Sequence, residues 1–147
     1  MEQRIIMRLY GHFINQTARN FVKTLNERIS PLGLYSSQWG VILFLAEKEK
    51  ATQREISDYL RVEAPTMTRT LTRMEKEGLI TKVPGEDRRA RAIQLTDKAH
   101  ELYEVWLKES DEMEKQAMKG ISKADLETFH KVLETMNANL DESKRKE

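Results

Sequence analysis

The stretch Asp87-Arg88-Arg89-Ala90-Arg91-Ala92-Ile93-Gln94-Leu95-Thr96 decides how this chain is read. It sets three arginines beside a turn signal, Pro84-Gly85-Glu86-Asp87, which separates the β-prone residues 79–83 from a second run at 93–95. Two short β-prone runs around a Pro-Gly turn predict a hairpin, with the arginines at or near its loop. Taken alone, the run reads equally well as a solvated charge cluster. What precedes it tips the balance.

Upstream, Thr52-Gln53-Arg54-Glu55 has the pattern of a capping box, in which the threonine hydroxyl takes a free amide of the first turn and the glutamate reaches back. Ile56 and Leu60 then share one helical face, and Arg61-Val62-Glu63 makes a short break. Pro65 suits the first turn of a second helix, where its missing N–H costs no bond, and Gly78 suits the exit. Within that helix, Ala64, Met67, Leu71 and Met74 recur at three- and four-residue steps and are expected to pack inward. Thr66, Arg69, Thr70 and Arg73 fall on another face. Arginine can fork onto guanine O6 and N7 or onto a phosphate, and threonine can bond a phosphate or lay its methyl on thymine. A polar helix face is ordinarily just the solvent side. A basic hairpin directly after it makes nucleic-acid binding the better reading, a helix-turn-helix followed by a wing.

At these residues the chain resembles the MarR family of bacterial transcriptional regulators. The likeness is carried by Gln53-Arg54-Glu55-Ile56-Ser57-Asp58-Tyr59-Leu60, by residues 66–80, and by the wing Asp87-Arg88-Arg89 with Ile93-Gln94-Leu95-Thr96. The resemblance implies that Arg89 enters the minor groove while Asp87 supports it, and that Thr96 caps the following helix. Ala99 stands where many members carry glycine. The DNA-binding set expected is therefore Thr66, Arg69, Thr70 and Arg73 on the helix and Arg88, Arg89 and Arg91 in the wing.

The chain has 147 residues, enough for one domain with a real core, and no Pro/Gly/Ser-rich linker or repeat divides it. The expected fold is mainly α (α+β): one winged-helix domain over 1–147, with residues 36–96 as the DNA-binding part and 1–30 plus 97–147 as dimerisation helices. Formal net charge is +1, yet the signs separate along the chain. Residues 50–96 carry ten basic and seven acidic groups, whereas 97–147 carry nine and thirteen. The basic excess lies with the proposed DNA module. There is no cysteine, which excludes disulfides, thiolate nucleophiles and cysteine-based oxidant sensing. No secretory signal and no apolar run of membrane-spanning length is evident, so a cytoplasmic protein with no membrane partner is expected.

The flanks read as long helices. Leu9, Phe13, Thr17, Phe21 and Leu25 return at helical intervals until Ser30-Pro31-Leu32-Gly33, after which Ser36 is expected to cap a helix presenting Trp39, Ile42, Leu43 and Ala46. Ala99, Leu102, Tyr103, Trp106 and Met113 mark a further helix. After Gly120-Ile121-Ser122, a seam of Leu126, Phe129, Leu133, Met136 and Leu140 follows. A wing and a short helix-turn-helix cannot cover apolar seams at both chain ends. A homodimer is expected, which would set two recognition helices on half-sites about 34–36 Å apart and favour a pseudo-palindromic operator in double-stranded DNA. Intramolecular packing of the end helices is the alternative.

Enzymatic signals are weak. Asp111, Glu112 and Glu114 lie in a charge-rich helix and read as a solvated face, and no phosphate loop appears. His12, His100 and His130 are far apart, so no metal site or cofactor is expected, although His100, Glu101 and Glu104 are close in sequence. The resemblance also implies a small amphipathic or phenolic ligand between dimer helices and DNA module, which here would involve Tyr10, Phe13, Trp39, Phe44 and Trp106. Aromatic residues at helical spacing more often supply core. The function expected is a sequence-specific transcriptional regulator, a repressor released by a small ligand. A winged-helix protein-interaction module without specific DNA binding is the alternative.

Overall fold

Thr52 starts the helix-turn-helix as the capping box predicts: its hydroxyl accepts from Glu55 N–H at 3.2 Å and the Glu55 carboxylate accepts from Thr52 N–H at 3.1 Å. Around it, a computed structural model describes residues 9–86 and 91–145. In chain order these form α1 (Tyr10–Ile29), a 3-10 turn (Ser30–Leu32), α2 (Ser36–Lys48), β1 (Ala51–Thr52), α3 (Gln53–Leu60), α4 (Ala64–Lys76), β2 (Ile80–Pro84), β3 (Arg91–Leu95), α5 (Asp97–Ala117) and α6 (Lys123–Arg145). The strands make one antiparallel sheet in the order β1-β3-β2, with Ile80 opposite Leu95 and Pro84 opposite Arg91. This is a mainly helical winged helix with long helices before and after it. No single described helix is long and apolar enough to cross a membrane.

Two features depart from the sequence reading of the hairpin. Arg91 is the first residue of β3, paired in the ladder rather than in the loop, and β1 is a two-residue strand that pairs Ala51 with Ile93. Asp87, Arg88 and Arg89 lie outside the described residues.

The chain divides into two compact units, residues 1–113 and 114–147. The first has the core. Ile42 and Leu45 of α2, Ile56 of α3, Met67, Leu71 and Met74 of α4, and Ile80 and Ile93 of the sheet are all buried. α2 is buried on most of its circumference, with Val41 and Phe44 inside as well, and Leu43, expected inward, is half exposed. Trp106 is only 1% exposed and donates its indole N–H to the carbonyl of Leu32 at 3.2 Å. Trp39 donates to Ser110 Oγ at 3.2 Å and packs its ring on Tyr103. Arg28 pairs with Glu109 at 3.2 Å and lies 3.5 Å from Glu112, tying α1 to α5. Both tryptophans thus bury a large apolar body without stranding a polar N–H.

The start of α2 differs from the expected serine cap. Ser36 is the first helical residue, and its N–H is taken by Asn26 Oδ1 of α1 at 2.7 Å. Gln38, which is buried, accepts the Tyr35 N–H at 3.1 Å. The backbone amides of Tyr35 and Ser36, at the entry to the helix, are held by amide side chains, one of them from another helix.

In the second unit, α6 has no buried residue; Leu126, Leu133 and Met136 are partly covered, while Phe129 and Leu140 are exposed.

Candidate nucleic-acid interface

The recognition helix α4 has two sharply different faces. Met67, Leu71 and Met74 are buried, and at about 100° per residue Thr66, Arg69, Thr70 and Arg73 fall together on a neighbouring arc of about 100°. Thr66, Arg69 and Arg73 are exposed and Thr70 is partly so, which brings the four predicted residues onto one accessible face. Ala64 is exposed rather than inward, because it sits at the first helical position, before the helix turns its apolar arc onto the core.

The turn that aims this face is built from backbone. Arg61 takes the left-handed conformation (φ 55°) after α3, and Val62 N–H returns to Ser57 O at 3.0 Å. At the far end of α4, Gly78 has φ 77° and Leu79 N–H closes onto Met74 O at 2.9 Å. A residue with a Cβ is disfavoured there, as the Gly78 signal predicts. The helix then meets the start of α5: Thr96 donates its hydroxyl to Gly78 O at 2.5 Å and Lys98 Nζ donates to Glu77 O at 2.9 Å. The same Thr96 hydroxyl accepts Ala99 N–H at 3.2 Å, the cap that the resemblance implies.

Within the face, the two arginines are held differently. Arg69 makes one contact with the neighbouring turn, from Nη2 to Thr66 Oγ1 at 3.2 Å. Arg73 donates from Nε to Glu77 Oε1 at 2.8 Å, and its guanidinium lies over the Tyr35 ring, 5.0 Å from the centroid. Hydrogen bonding to Glu77, then its charge, raise the already high pKa of Arg73 further. The group is charged at every accessible pH with or without that contribution. Gln53 of α3 donates to Thr68 Oγ1 at 2.7 Å, joining the two helices beside the same surface. Tyr35, Glu77, Gln53 and Thr68 are the residues the sequence reading did not assign to the site. The Arg73–Glu77 pair was visible as an i,i+4 spacing. Tyr35 was not, since only the fold brings it there.

In the wing, Arg91 is exposed at the start of β3 opposite Pro84, so its side chain is accessible at the loop end of the hairpin. The five residues expected at a ligand site fall in two settings in the single chain. Trp39, Phe44 and Trp106 are in the core, Phe44 stacked on Tyr59 at 4.6 Å, whereas Tyr10 and Phe13 are more than 60% exposed on α1. An open groove of about 730 Å³ does run along α1, but Arg19, Val22, Asn26 and Tyr35 are among its lining residues and none of those five is. No group of three or more metal-ligating side chains occurs among the described residues, so His100, Glu101 and Glu104 are not such a group.

The sequence pattern of the MarR family matches residues 32–90, from the 3-10 turn to the wing. An uncharacterized HTH-type transcriptional regulator of Bacillus subtilis (strain 168), YwoH, is 48% identical over 93 residues, 63% of this chain and 68% of that protein. The chain belongs to the MarR family. Among solved structures, the transcriptional regulator PA3341 superposes with a TM-score of 0.82 at 34% identity, over 90% of this chain and 98% of that one. A putative MarR family regulator from Listeria monocytogenes, solved with a 26mer DNA, superposes with a TM-score of 0.83 at 22% identity, over 90% and 89%. This MarR-family chain is thus a helix-turn-helix transcriptional regulator and not an enzyme. The protein-interaction alternative is not favoured.

Proposed function

We propose that this regulator is a cytoplasmic homodimeric repressor that occupies a pseudo-palindromic duplex operator and leaves it when a small amphipathic or phenolic ligand binds. The observation that carries the DNA reading is the exposed arc of Thr66, Arg69, Thr70 and Arg73 on α4, turned away from its buried methionines and leucine. Such a face fits the major groove, where arginine and threonine have base and phosphate partners. Arg88, Arg89 and Arg91 would add wing contacts, with Arg89 in the minor groove and Asp87 supporting it. Support for the dimer comes from apolar side chains left exposed on α1 (Tyr10, Phe13, Ile14, Val22) and on α6 (Phe129, Val132, Leu140). Two copies would carry two such arcs, one per half-site.

The test is selection of bound fragments from random and genomic DNA, followed by salt titrations with the selected duplex and an unrelated one. Wild-type protein should prefer the selected duplex, with a steep fall in affinity as salt rises. Arg69→Ala should relax preference at one operator position. Arg89→Ala should weaken all duplexes and flatten the salt slope by about one unit per lost phosphate-region contact in each half-site. Absence of any sequence preference or salt slope would leave the protein-interaction alternative ahead. Transcription from the selected operator, with and without phenolic compounds, then reads the sign of regulation and ligand release.

A further inference from the structure

Arg73 is the most constrained cation on the reading face. Glu77 takes its Nε–H from one side at 2.8 Å, and the Tyr35 ring lies against the guanidinium at 5.0 Å. A free arginine side chain samples many rotamers, and fixing it on binding costs affinity. Here a carboxylate one turn away and an aromatic face from the segment before α2 have already narrowed that choice. The Nε side is occupied by Glu77, and among the described residues no carboxylate holds the edge bearing the two Nη groups, which is therefore the edge a partner would meet. That edge presents two parallel N–H bonds, the geometry that matches O6 and N7 of one guanine. Even so, Arg73 stays 62% exposed at its side chain, so its supports do not bury it.

We propose that Glu77 and Tyr35 are positioning residues for Arg73, holding its guanidinium so that its Nη edge reads one guanine in each operator half-site. The inference rests on the DNA-binding reading proposed above. It assigns sequence discrimination to a residue whose supports are remote in sequence on one side, Tyr35, and one helical turn away on the other, Glu77. It also separates the roles of the two helix arginines: among the described residues Arg69 is held by the Thr66 hydroxyl, which leaves more of its ordering to the DNA.

The experiment measures binding of the full chain to the selected operator, to every single-base variant of it, and to an unrelated duplex, across a salt series. The variants are Arg73→Ala, Glu77→Ala, Glu77→Gln, Tyr35→Leu and Tyr35→Phe, each checked for folding by circular dichroism and thermal melting. Arg73→Ala should flatten preference at one symmetric base-pair position, by about 5- to 150-fold per half-site. Tyr35→Leu should weaken preference at that same position more than it changes binding to unrelated duplex, and Glu77→Ala should do so relative to Glu77→Gln, which removes the same charge. Glu77→Gln, which keeps an acceptor for Nε, and Tyr35→Phe, which keeps the ring, should restore most of it. A merely structural role would lower all binding together with the melting temperature and would not single out one position.

Three results overturn the inference while leaving DNA recognition intact. Full discrimination in Glu77→Ala and Tyr35→Leu would show that Arg73 needs no support. A uniform loss in Arg73→Ala, with a shallower salt slope, would make it a phosphate contact. Tighter operator binding by Glu77→Ala would mean that Glu77 sequesters the arginine. Wild-type protein that distinguishes no duplex from another would overturn this inference together with the proposed function.

Discussion

The Thr96 hydroxyl donates to the carbonyl oxygen of Gly78 at 2.5 Å, closing the end of the recognition helix onto the beginning of α5. Because the Thr96 hydroxyl oxygen also accepts Ala99 N–H, one side chain serves two helix ends. Thr96→Ala should therefore cost more than a single lost cap, about 1–2 kcal/mol in urea unfolding, and Thr96→Ser should recover most of it. A serine variant as unstable as the alanine one would point to the methyl group rather than the hydroxyl.

Gly78 makes a separate, purely conformational prediction. A Cβ built there meets nothing closer than Lys98 Cδ at 3.8 Å, so space is not the constraint; φ of 77° is. Gly78→Ala should lower stability by about 1–2 kcal/mol and Gly78→Asn by less, since asparagine tolerates the left-handed region. Denaturant midpoints for the two variants give the order directly.

Ser57 carries a different kind of cost. Its hydroxyl oxygen is buried without a hydrogen-bond partner among the described residues. Ser57→Ala removes an unpaired polar group and should leave the melting temperature unchanged or raise it. A loss of more than about 1 kcal/mol would reveal a partner for the hydroxyl, since that is the usual worth of one hydrogen bond.

For the proposed homodimer, Leu133 on α6 is the sharpest probe. It is partly covered in the single chain, on a helix whose Phe129, Val132 and Leu140 are exposed. Leu133→Asp should sediment as a monomer at micromolar concentration and lose high-affinity operator binding, because an unpaired charge in an apolar seam is unfavourable. A variant still dimeric at the lowest measurable concentration would move the seam elsewhere.

Much of the DNA-binding half was legible because its signals are local. The Thr52–Glu55 box, the Gly78 exit and the Met67, Leu71, Met74 stripe each depend on residues within a turn or two of one another, and each appears as read. What escaped depends on distant partners. β1 exists because Ala51 pairs with Ile93, and no two-residue segment announces itself as a strand. Asn26 of another helix takes the Ser36 N–H, and Tyr35 reaches Arg73 across the fold. For the aromatic residues that the resemblance implies at a ligand site, helical spacing says that they are apolar but not which way they face; in the single chain Trp39 and Trp106 are buried with their indoles bonded. Ala64 was misplaced for the opposite reason, since periodicity extends evenly to a helix end that packing does not reach.

Both tryptophans, Trp39 and Trp106, and all four tyrosines fall before Met113, and residues 114–147 contain neither. The two compact units are therefore optically unequal. Emission from tryptophan will follow the melting of the unit that holds the recognition helix, with the buried, bonded indoles moving from apolar surroundings into water. The unit containing α6 will be dark in that signal and visible only as helical ellipticity in the far ultraviolet. If the two signals lose amplitude at the same denaturant concentration, the chain unfolds as one cooperative body; if ellipticity falls first while emission holds, α6 melts ahead of the core.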